Sequence, residues 1–206
     1  MRLIAILLAG ILSGCSNKAT SHDTVVGLLP YKGIDSVKVS ETKEAIETYY
    51  GVQVKILDAK DLPKEAFINV KSPRYRADSL IHIQKRLMPT GIDYVLGITE
   101  RDISATKHGT DSKIKSPEWK YADFGIMGLA YCPGKSAVVS NFRLKHNDKA
   151  VQFGRFKKVV IHELGHNFGL PHCPDKTCVM TDAVESIKTI DNARPGLCKA
   201  CLAKLK

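Results

Sequence analysis

The sequence predicts a mixed α/β (α+β) fold, in which a twisted β-sheet of four to five strands packs against helices and a cysteine-rich helical part follows. Short apolar runs typical of strands alternate along the chain with longer segments of helical periodicity. Four of the six cysteines lie in the last 34 residues, directly after the longest helical pattern. The length of 206 residues and the apolar content of 44% are ordinary for one globular domain.

The amino-terminal half predicts a β–α–β unit. Residues 25–29 (VVGLL) form an apolar run typical of a first strand. Ser40 is interpreted as the N-cap of the following helix, because acidic residues that favour the positive end of a helix come next. The helix should end at Gly51, where glycine permits a sharp stop, and residues 52–57 then alternate as a half-buried strand does.

The middle of the chain predicts a second helix, a strand and a loop. Ser72 and Pro73 are interpreted as the start of the helix, since proline is favoured in the first helical turn, and the helix should extend to Leu87. Residues 93–99 (DYVLGIT) predict a short apolar strand. Residues 100–118 are mostly polar and therefore predict a loop.

The carboxyl-terminal half predicts a hairpin and then helices. Residues 121–131 and 135–140 are interpreted as two strands joined by a Pro-Gly turn. A long helix should cover residues 149–168, with an apolar stripe that faces the core. Two shorter helices are expected in the tail, over about residues 182–190 and 197–205.

The first residues are typical of an export signal. Arg2 precedes an apolar run, and small residues follow it. Leu12-Ser13-Gly14-Cys15 resembles a bacterial lipobox, which implies a signal peptide over residues 1–14, acyl chains on Cys15 and a polar tether over residues 15–24. The expected location is the bacterial cell envelope, anchored to the outer membrane rather than the inner. The alternative is an ordinary secretory signal in which the cysteine occurs by chance.

The charge pattern argues against a nucleic-acid partner. The formal net charge is +10, but the lysines and arginines are scattered and form no dense basic run with interleaved aromatic residues. Export would also separate the protein from nucleic acid. The charge is interpreted as favouring solubility and weak attraction to an anionic membrane, and the protein is expected to be a monomer.

Residues 162–172 (HELGHNFGLPH) carry the pattern of a catalytic zinc site. His162 and His166 are four residues apart, so both imidazoles lie on one face of a helix and can reach one ion. Gly169 allows the helix to end, and the turn can bring His172 back to the same ion. Three histidines leave a fourth zinc position open to water, and Glu163 is placed to act as the general base without being a ligand.

The bland alternative is a polar helix surface that happens to carry three histidines. A bare HExxH pattern arises by chance and is weak evidence alone. The additional glycine and histidine at fixed offsets make a chance match much rarer. Zinc in such a site acidifies its water and polarises a substrate carbonyl, which is the chemistry of peptide-bond hydrolysis.

The extended motif resembles that of the metzincin zinc peptidases, and the cysteines narrow the resemblance. Residues 162–180 and the Cys-x-x-Cys at 198–201 match the archaemetzincin pattern HExxHxxGxxHCx4CxM-x17-CxxC at every fixed position. Residues upstream of the motif are similar to the central strands of that family only more loosely. The resemblance implies a metzincin-like zinc peptidase domain over residues 25–206.

The resemblance also implies a second, structural zinc in a subdomain that starts at about residue 170. Its four ligands would be thiolates in two close pairs, Cys173, Cys178, Cys198 and Cys201. A closed tetrahedral site of this kind contributes folding free energy. The cofactor prediction is therefore two zinc ions per chain, one catalytic and one structural. Disulfides remain the alternative, because an exported protein meets oxidising conditions.

Two further assignments come from the resemblance. Met180 corresponds to the methionine of the turn beneath the catalytic zinc, although a lone methionine is more often ordinary core. The strand that pairs with an extended peptide substrate would include Gly125, Ile126, Met127 and Gly128. The alternative for this stretch is an ordinary hairpin strand.

The sequence therefore predicts a zinc-dependent metallopeptidase that acts on peptide or protein substrates. The competing hypothesis is a zinc-binding envelope lipoprotein without catalysis. Glu163 discriminates between them, because a protein that only binds zinc gains nothing from a carboxylate beside an open coordination position. Nothing in the sequence identifies the preferred cleavage site or the group that stabilises the transition state.

Overall fold

The computed structural model describes residues 23–182 and 186–205. The predicted signal peptide, Cys15 and most of the tether lie outside the described residues. None of the helices within residues 23–182 and 186–205 has the length and apolar character needed to cross a bilayer.

The described part of the chain forms nine strands and six α-helices, together with a short 3₁₀ turn at Lys64–Ala66. The strands are β1 (Val25–Pro30), β2 (Gln53–Ile56), β3 (Phe67–Asn69), β4 (Pro73–Arg76), β5 (Tyr94–Thr99), β6 (Ile103–Ala105), β7 (Phe124–Ile126), β8 (Gly128–Ala130) and β9 (Ser136–Ser140). The helices are α1 (Ser36–Tyr50), α2 (Ala77–Arg86), α3 (Glu118–Tyr121), α4 (Lys149–Asn167), α5 (Ile187–Asn192) and α6 (Lys199–Lys204).

The main sheet has five strands in the order β2-β1-β5-β9-β8. Four of them are parallel, and β8 at one edge runs antiparallel to β9. The three central strands are almost wholly buried, as expected for parallel strands that helices cover on both faces. The predicted mixed α/β fold with four to five strands is confirmed for this sheet.

A second sheet of four short strands, in the order β3-β4-β6-β7, was not expected from the sequence. The predicted helix start at Ser72 and Pro73 is wrong, because Pro73 begins β4, where it pairs with Asn69 of β3. Proline is compatible with the first position of a strand. The loop predicted over residues 100–118 is also wrong in part, since it contains β6 and the first residue of α3.

Helix α1 begins earlier than predicted. Its N-cap is Asp35, whose carboxylate accepts hydrogen bonds from the backbone N–H groups of Val37 and Lys38. Ser40 is not the cap; it lies inside the helix and donates its hydroxyl to the carbonyl of Val37. The predicted end is confirmed, because Gly51 adopts a left-handed conformation with φ of 65°.

Two apolar cores lie on opposite faces of the main sheet. Helices α1 and α4 cover one face, where Ile46, Phe156 and Leu164 are fully buried. Helix α2 covers the other face with Leu80 and Ile81. Burial of each such side chain contributes about 1.5–3 kcal/mol, so α4 is held firmly against the sheet.

Candidate metal centre and active-site cleft

The long helix α4 positions the first two histidines and the glutamate. Its N-cap is Asp148, which accepts a hydrogen bond from the backbone N–H of Ala150 at 2.7 Å. Because Val160 and Leu164 of this helix are fully buried against the sheet, His162 and His166 are fixed on a neighbouring stripe that borders the cleft.

The helix ends as the sequence predicts, and the turn brings the third histidine back. Gly169 has a φ of 90°, and the N–H of Leu170 donates to the carbonyl of Gly165 at 2.9 Å. One ring nitrogen from each of His162, His166 and His172 then lies within 4.8 Å of the other two. The three predicted zinc ligands are therefore together in space.

Backbone carbonyls orient the first two imidazoles. The Nδ1 of His162 lies 2.8 Å from the carbonyl oxygen of Val179, and the Nδ1 of His166 lies 2.8 Å from that of Leu170. A carbonyl only accepts hydrogen bonds, so each Nδ1 carries the proton and each Nε2 has a free lone pair. The two Nε2 atoms face each other at 3.0 Å, a repulsive contact that a cation between them would relieve.

Burial also keeps these imidazoles neutral. It lowers the pKa of His162 to about 4, with the neighbouring charge of His166 acting in the same direction. Burial lowers the pKa of His166 as well. Neutral imidazole is the form that binds a metal ion, so both side chains are in the required state at physiological pH.

Glu163 lies in the cleft with its carboxyl group enclosed by protein. Burial raises the pKa of this carboxyl to about 8, and the positive charge of Lys107 opposes that shift. A Cβ on Gly128 would lie only 2.6 Å from the Cγ of Glu163. The edge strand β8 therefore passes directly over this side chain, and only glycine fits at that point.

Met180, which the resemblance assigns to the turn beneath the zinc, packs against α4 at Gly165. Its side chain is fully buried, and a Cβ on Gly165 would lie 2.5 Å from its Sδ. The hydroxyl of Tyr50, which donates to the carbonyl of Ile161 at 2.5 Å, borders the same point. This packing sets the distance between α4 and the turn that carries Met180.

The stretch predicted to bind an extended substrate lines the cleft but is divided between two sheets. Gly125 and Ile126 belong to β7, which pairs with β6 in the second sheet. Gly128 begins β8, which pairs with β9 at the edge of the main sheet, and Met127 connects the two strands. All four residues border the same cleft as the histidines.

The four tail cysteines form a separate buried cluster whose Sγ atoms all lie within 4.8 Å of one another. The Sγ atoms of Cys173 and Cys198 are 3.7 Å apart, and those of Cys178 and Cys201 are 3.8 Å apart. These distances exceed the disulfide bond length of about 2.05 Å, and all four are free thiols. A backbone hydrogen bond from Cys201 lowers the pKa of Cys198 to about 7, whereas burial raises the pKa of Cys178 and of Cys201. Cys198 is therefore the thiol that most readily supplies a metal-binding thiolate.

Three charged residues of the cleft were missed from the sequence: Lys158 on α4, and Lys107 and Asp182 outside that helix. Lys107 borders it from the segment predicted to be a loop. Asp182 borders it beside His172, with 3.9 Å between its Oδ2 and the Nδ1 of that histidine. Neither Lys107 nor Asp182 belongs to a local pattern, so no spacing rule identifies it. Cys132 lies apart from the cysteine cluster, is exposed and donates its thiol to the carbonyl of Leu170.

Known proteins with similar sequences and structures support one family. A family model described as peptidase family M54 matches residues 24–206. The archaemetzincin of Methanopyrus kandleri is 36% identical over 169 residues, which are 82% of this chain and 86% of that protein. The archaemetzincin of Methanocaldococcus jannaschii is 33% identical over 157 residues, 73% of this chain and 76% of that protein.

The solved structures agree with the sequence matches. The crystal structure of the Methanopyrus kandleri archaemetzincin superposes with a TM-score of 0.71 at 32% identity, over 88% of this chain and 93% of that one. The Archaeoglobus fulgidus archaemetzincin complexed with malonate gives a TM-score of 0.69 at 25% identity, over 88% of this chain and 99% of that one. The chain therefore belongs to peptidase family M54, the archaemetzincin family of zinc metallopeptidases.

Proposed function

We propose that His162, His166 and His172 hold the catalytic zinc ion of this peptidase and that Glu163 is its general base. The observation that carries the proposal is the 3.0 Å separation of the two Nε2 atoms, whose lone pairs converge when each Nδ1 donates to its backbone carbonyl. Zn–N bonds of 2.0–2.1 Å in a tetrahedral site place two nitrogens about 3.4 Å apart, close to this separation. Zinc bound there would supply Lewis acidity to the peptide carbonyl and to the attacking water.

Glu163 has the position and the environment of a proton carrier. Its carboxyl group is buried in the cleft between the histidines and β8, and no described residue donates a hydrogen bond to it. It is therefore free to take the proton from the attacking water and to pass it to the leaving amine. A divalent cation on the adjacent histidines would favour its ionised, proton-accepting form.

The substrate is a peptide in extended conformation, bound along the rim of the cleft. Strand β8 is the edge strand of the main sheet, so its outer backbone groups are available for pairing with a peptide. Gly125, Ile126, Met127 and Gly128 would form this rim, and the glycines let the peptide backbone approach closely.

A second, structural zinc ion is the best occupant of the cysteine cluster. Zn–S bonds of 2.3 Å in a tetrahedral site place sulfur atoms about 3.8 Å apart, which matches the spacing of the Cys173–Cys198 and Cys178–Cys201 pairs. The cluster is buried, as closed structural sites are. This ion would tie α6 to the turn that follows α4.

The mature protein is a lipid-anchored monomer of the bacterial cell envelope in this proposal. The support is the signal-like pattern of residues 1–14 and the lipobox that ends at Cys15. Metabolic labelling with a palmitate analogue should give a signal that Cys15→Ser removes. Labelling that persists in this variant would contradict the anchor.

The direct test combines metal content with cleavage of a peptide library. The protein should contain two zinc ions, His166→Ala should lose one of them, and Glu163→Gln should retain both but lose cleavage by at least about 100-fold. If Glu163→Gln cleaves as well as the wild type, the general base is assigned wrongly. If zinc binds at the histidines and no peptide is cleaved, the protein is a zinc binder and the catalytic proposal fails.

A further inference from the structure

A lysine side chain that borders the active-site cleft forms no ion pair with any described residue. Lys107 lines the same cleft as Glu163 and the three histidines and is half-buried there. Its backbone is fixed on both sides, because its N–H donates to the carbonyl of Tyr121 and its carbonyl accepts from the N–H of Lys115, both at 2.9 Å. The side chain therefore projects from a firmly held segment.

The ammonium group of Lys107 has unused hydrogen-bonding capacity. Across residues 23–182 and 186–205, its Nζ makes no hydrogen bond, and no carboxylate oxygen lies within 4.0 Å of it. Its recorded contact is the ring of Phe124, whose centroid lies 5.6 Å away. Its three N–H donors are thus unused, and the lining of the cleft includes the apolar side chains of Ile126 and Leu129.

The other lysine of the cleft, Lys158, uses its ammonium group in hydrogen bonds within the protein. The Nζ of Lys158 donates to the carbonyls of Ile190 and Asp191, at 2.8 and 3.2 Å. That lysine is committed to holding α5 against α4. Lys107 alone among the lysines that border the described cleft has its ammonium group available to a ligand.

The acidic groups of the cleft do not neutralise Lys107. Glu163 is close enough for the lysine to influence its pKa, but it forms no ion pair with it. Asp182 lies next to His172, with 3.9 Å between its Oδ2 and the Nδ1 of that histidine. A half-buried cation without a contacting anion is unfavourable, and a carboxylate supplied by the substrate would remove that cost.

We propose that Lys107 is a specificity-determining residue, which binds a carboxylate of the peptide substrate close to the cleaved bond. The carboxylate belongs to an aspartate or glutamate side chain or to the carboxyl terminus of the peptide. The inference rests on the proposed peptidase function, since it assumes that the peptide lies along β7 and β8. A charge-assisted hydrogen bond in such a site is worth about tenfold or more in affinity.

The test uses matched peptides with wild type, Lys107→Met and Lys158→Met. One set replaces each position in turn by glutamate or glutamine, and a second set compares a free carboxyl terminus with an amide. Wild type should prefer the acid at one position by about tenfold in kcat/KM. Lys107→Met should lose this preference, while Lys158→Met should keep it.

Lys107→Glu provides the converse arm, because it should favour a lysine at the position where wild type favours glutamate. The peptide set that carries the preference tells a side-chain carboxylate from a terminal one. The proposal is overturned if wild type does not distinguish acid from neutral peptides. It is equally overturned if Lys107→Met slows all peptides alike, since the lysine would then act on the cleaved carbonyl.

A binding measurement separates this proposal from the proposed function. Peptide Kd values are measured by fluorescence anisotropy on zinc-loaded Glu163→Gln, with and without Lys107→Met. The ratio of Kd values for the neutral and acidic peptides should be about ten with Lys107 and about one with methionine. This ratio reports on Lys107 even if the protein cleaves none of the peptides. A ratio of one on both backgrounds would refute the proposed role.

Discussion

Gly128→Ala tests whether the edge strand positions the general base. The added Cβ would lie 2.6 Å from the Cγ, 2.7 Å from the Oε1 and 2.9 Å from the Cδ of Glu163. Comfortable carbon contacts are about 3.5–4.0 Å, so the side chain must move by about 1 Å. Cγ lies near the root of the side chain, and the whole carboxyl group must therefore move with it. A displacement of about 1 Å at a reacting group costs about 100-fold in rate, or about 2.7 kcal/mol in activation free energy.

The assay is kcat/KM on the best peptide of the library, together with zinc content and urea unfolding. Gly128→Ala should reduce kcat/KM by about 100-fold and keep both zinc ions, because Glu163 is not a ligand. The control is Gly154→Ala in α4, where the added Cβ meets no atom within 4 Å and activity should not change. If Gly128→Ala retains zinc and stays within about threefold of wild type, the contact does not set the position of the base.

Two further predictions concern stability. Met180→Ala should lower the free energy of unfolding by about 2–5 kcal/mol, because it opens a cavity at a fully buried site below α4. Met180→Leu should lower it by less than about 1.5 kcal/mol. Similar urea midpoints for the two variants would contradict the packing argument. Asp191 accepts two hydrogen bonds from Arg155, which lower the pKa of Asp191 below its ordinary value. The ionised carboxylate therefore stabilises the fold at pH values above its unfolded-state pKa of about 3.9. This stabilisation is lost as the pH falls through the lower folded-state pKa. Asp191→Asn should therefore lower the free energy of unfolding by about 1 kcal/mol after solvent screening, equally at pH 5 and pH 7 and by less near pH 3. If the loss of stability changes between pH 5 and pH 7, another group causes it.

The parts of the site that sequence predicts are those encoded at short range. His162 and His166 are four residues apart in one predicted helix, and Gly169 is the predicted end of that helix. Helix α4 and the turn after it confirm the helix and its end. The short strands of the second sheet depend on contacts with residues that are distant in the chain. Arg74 is an example: it is buried beside Asp102 and Asp123, and this charge cluster fixes β4 where local spacing predicted a helix.

Residues that enter the cleft from remote segments leave no local signal either. The close approach of Gly128 to Glu163 joins positions 35 residues apart, and Lys107 reaches the cleft from a segment whose polarity predicts only a loop. The misplaced start of α1 has a different cause. Asp35 and Ser40 are both good N-caps, and the choice depends on the burial of Val39, which belongs to the helix only if Asp35 is the cap.

The adjacency of His172 and Cys173 links the two proposed metal centres thermodynamically. The N–H of Cys173 donates to the carbonyl of Met180 at 2.8 Å. Because His172 is the preceding residue, metal ligation by Cys173 would also restrain the backbone of His172. Without that restraint the residues after Gly169 must be ordered when the histidine binds, at about 1–2 kcal/mol each. Filling the cysteine cluster would thus raise the affinity of the histidine site for zinc, and linkage requires the reverse effect to have the same size. A chelator titration should consequently empty both centres over one narrow range of concentration.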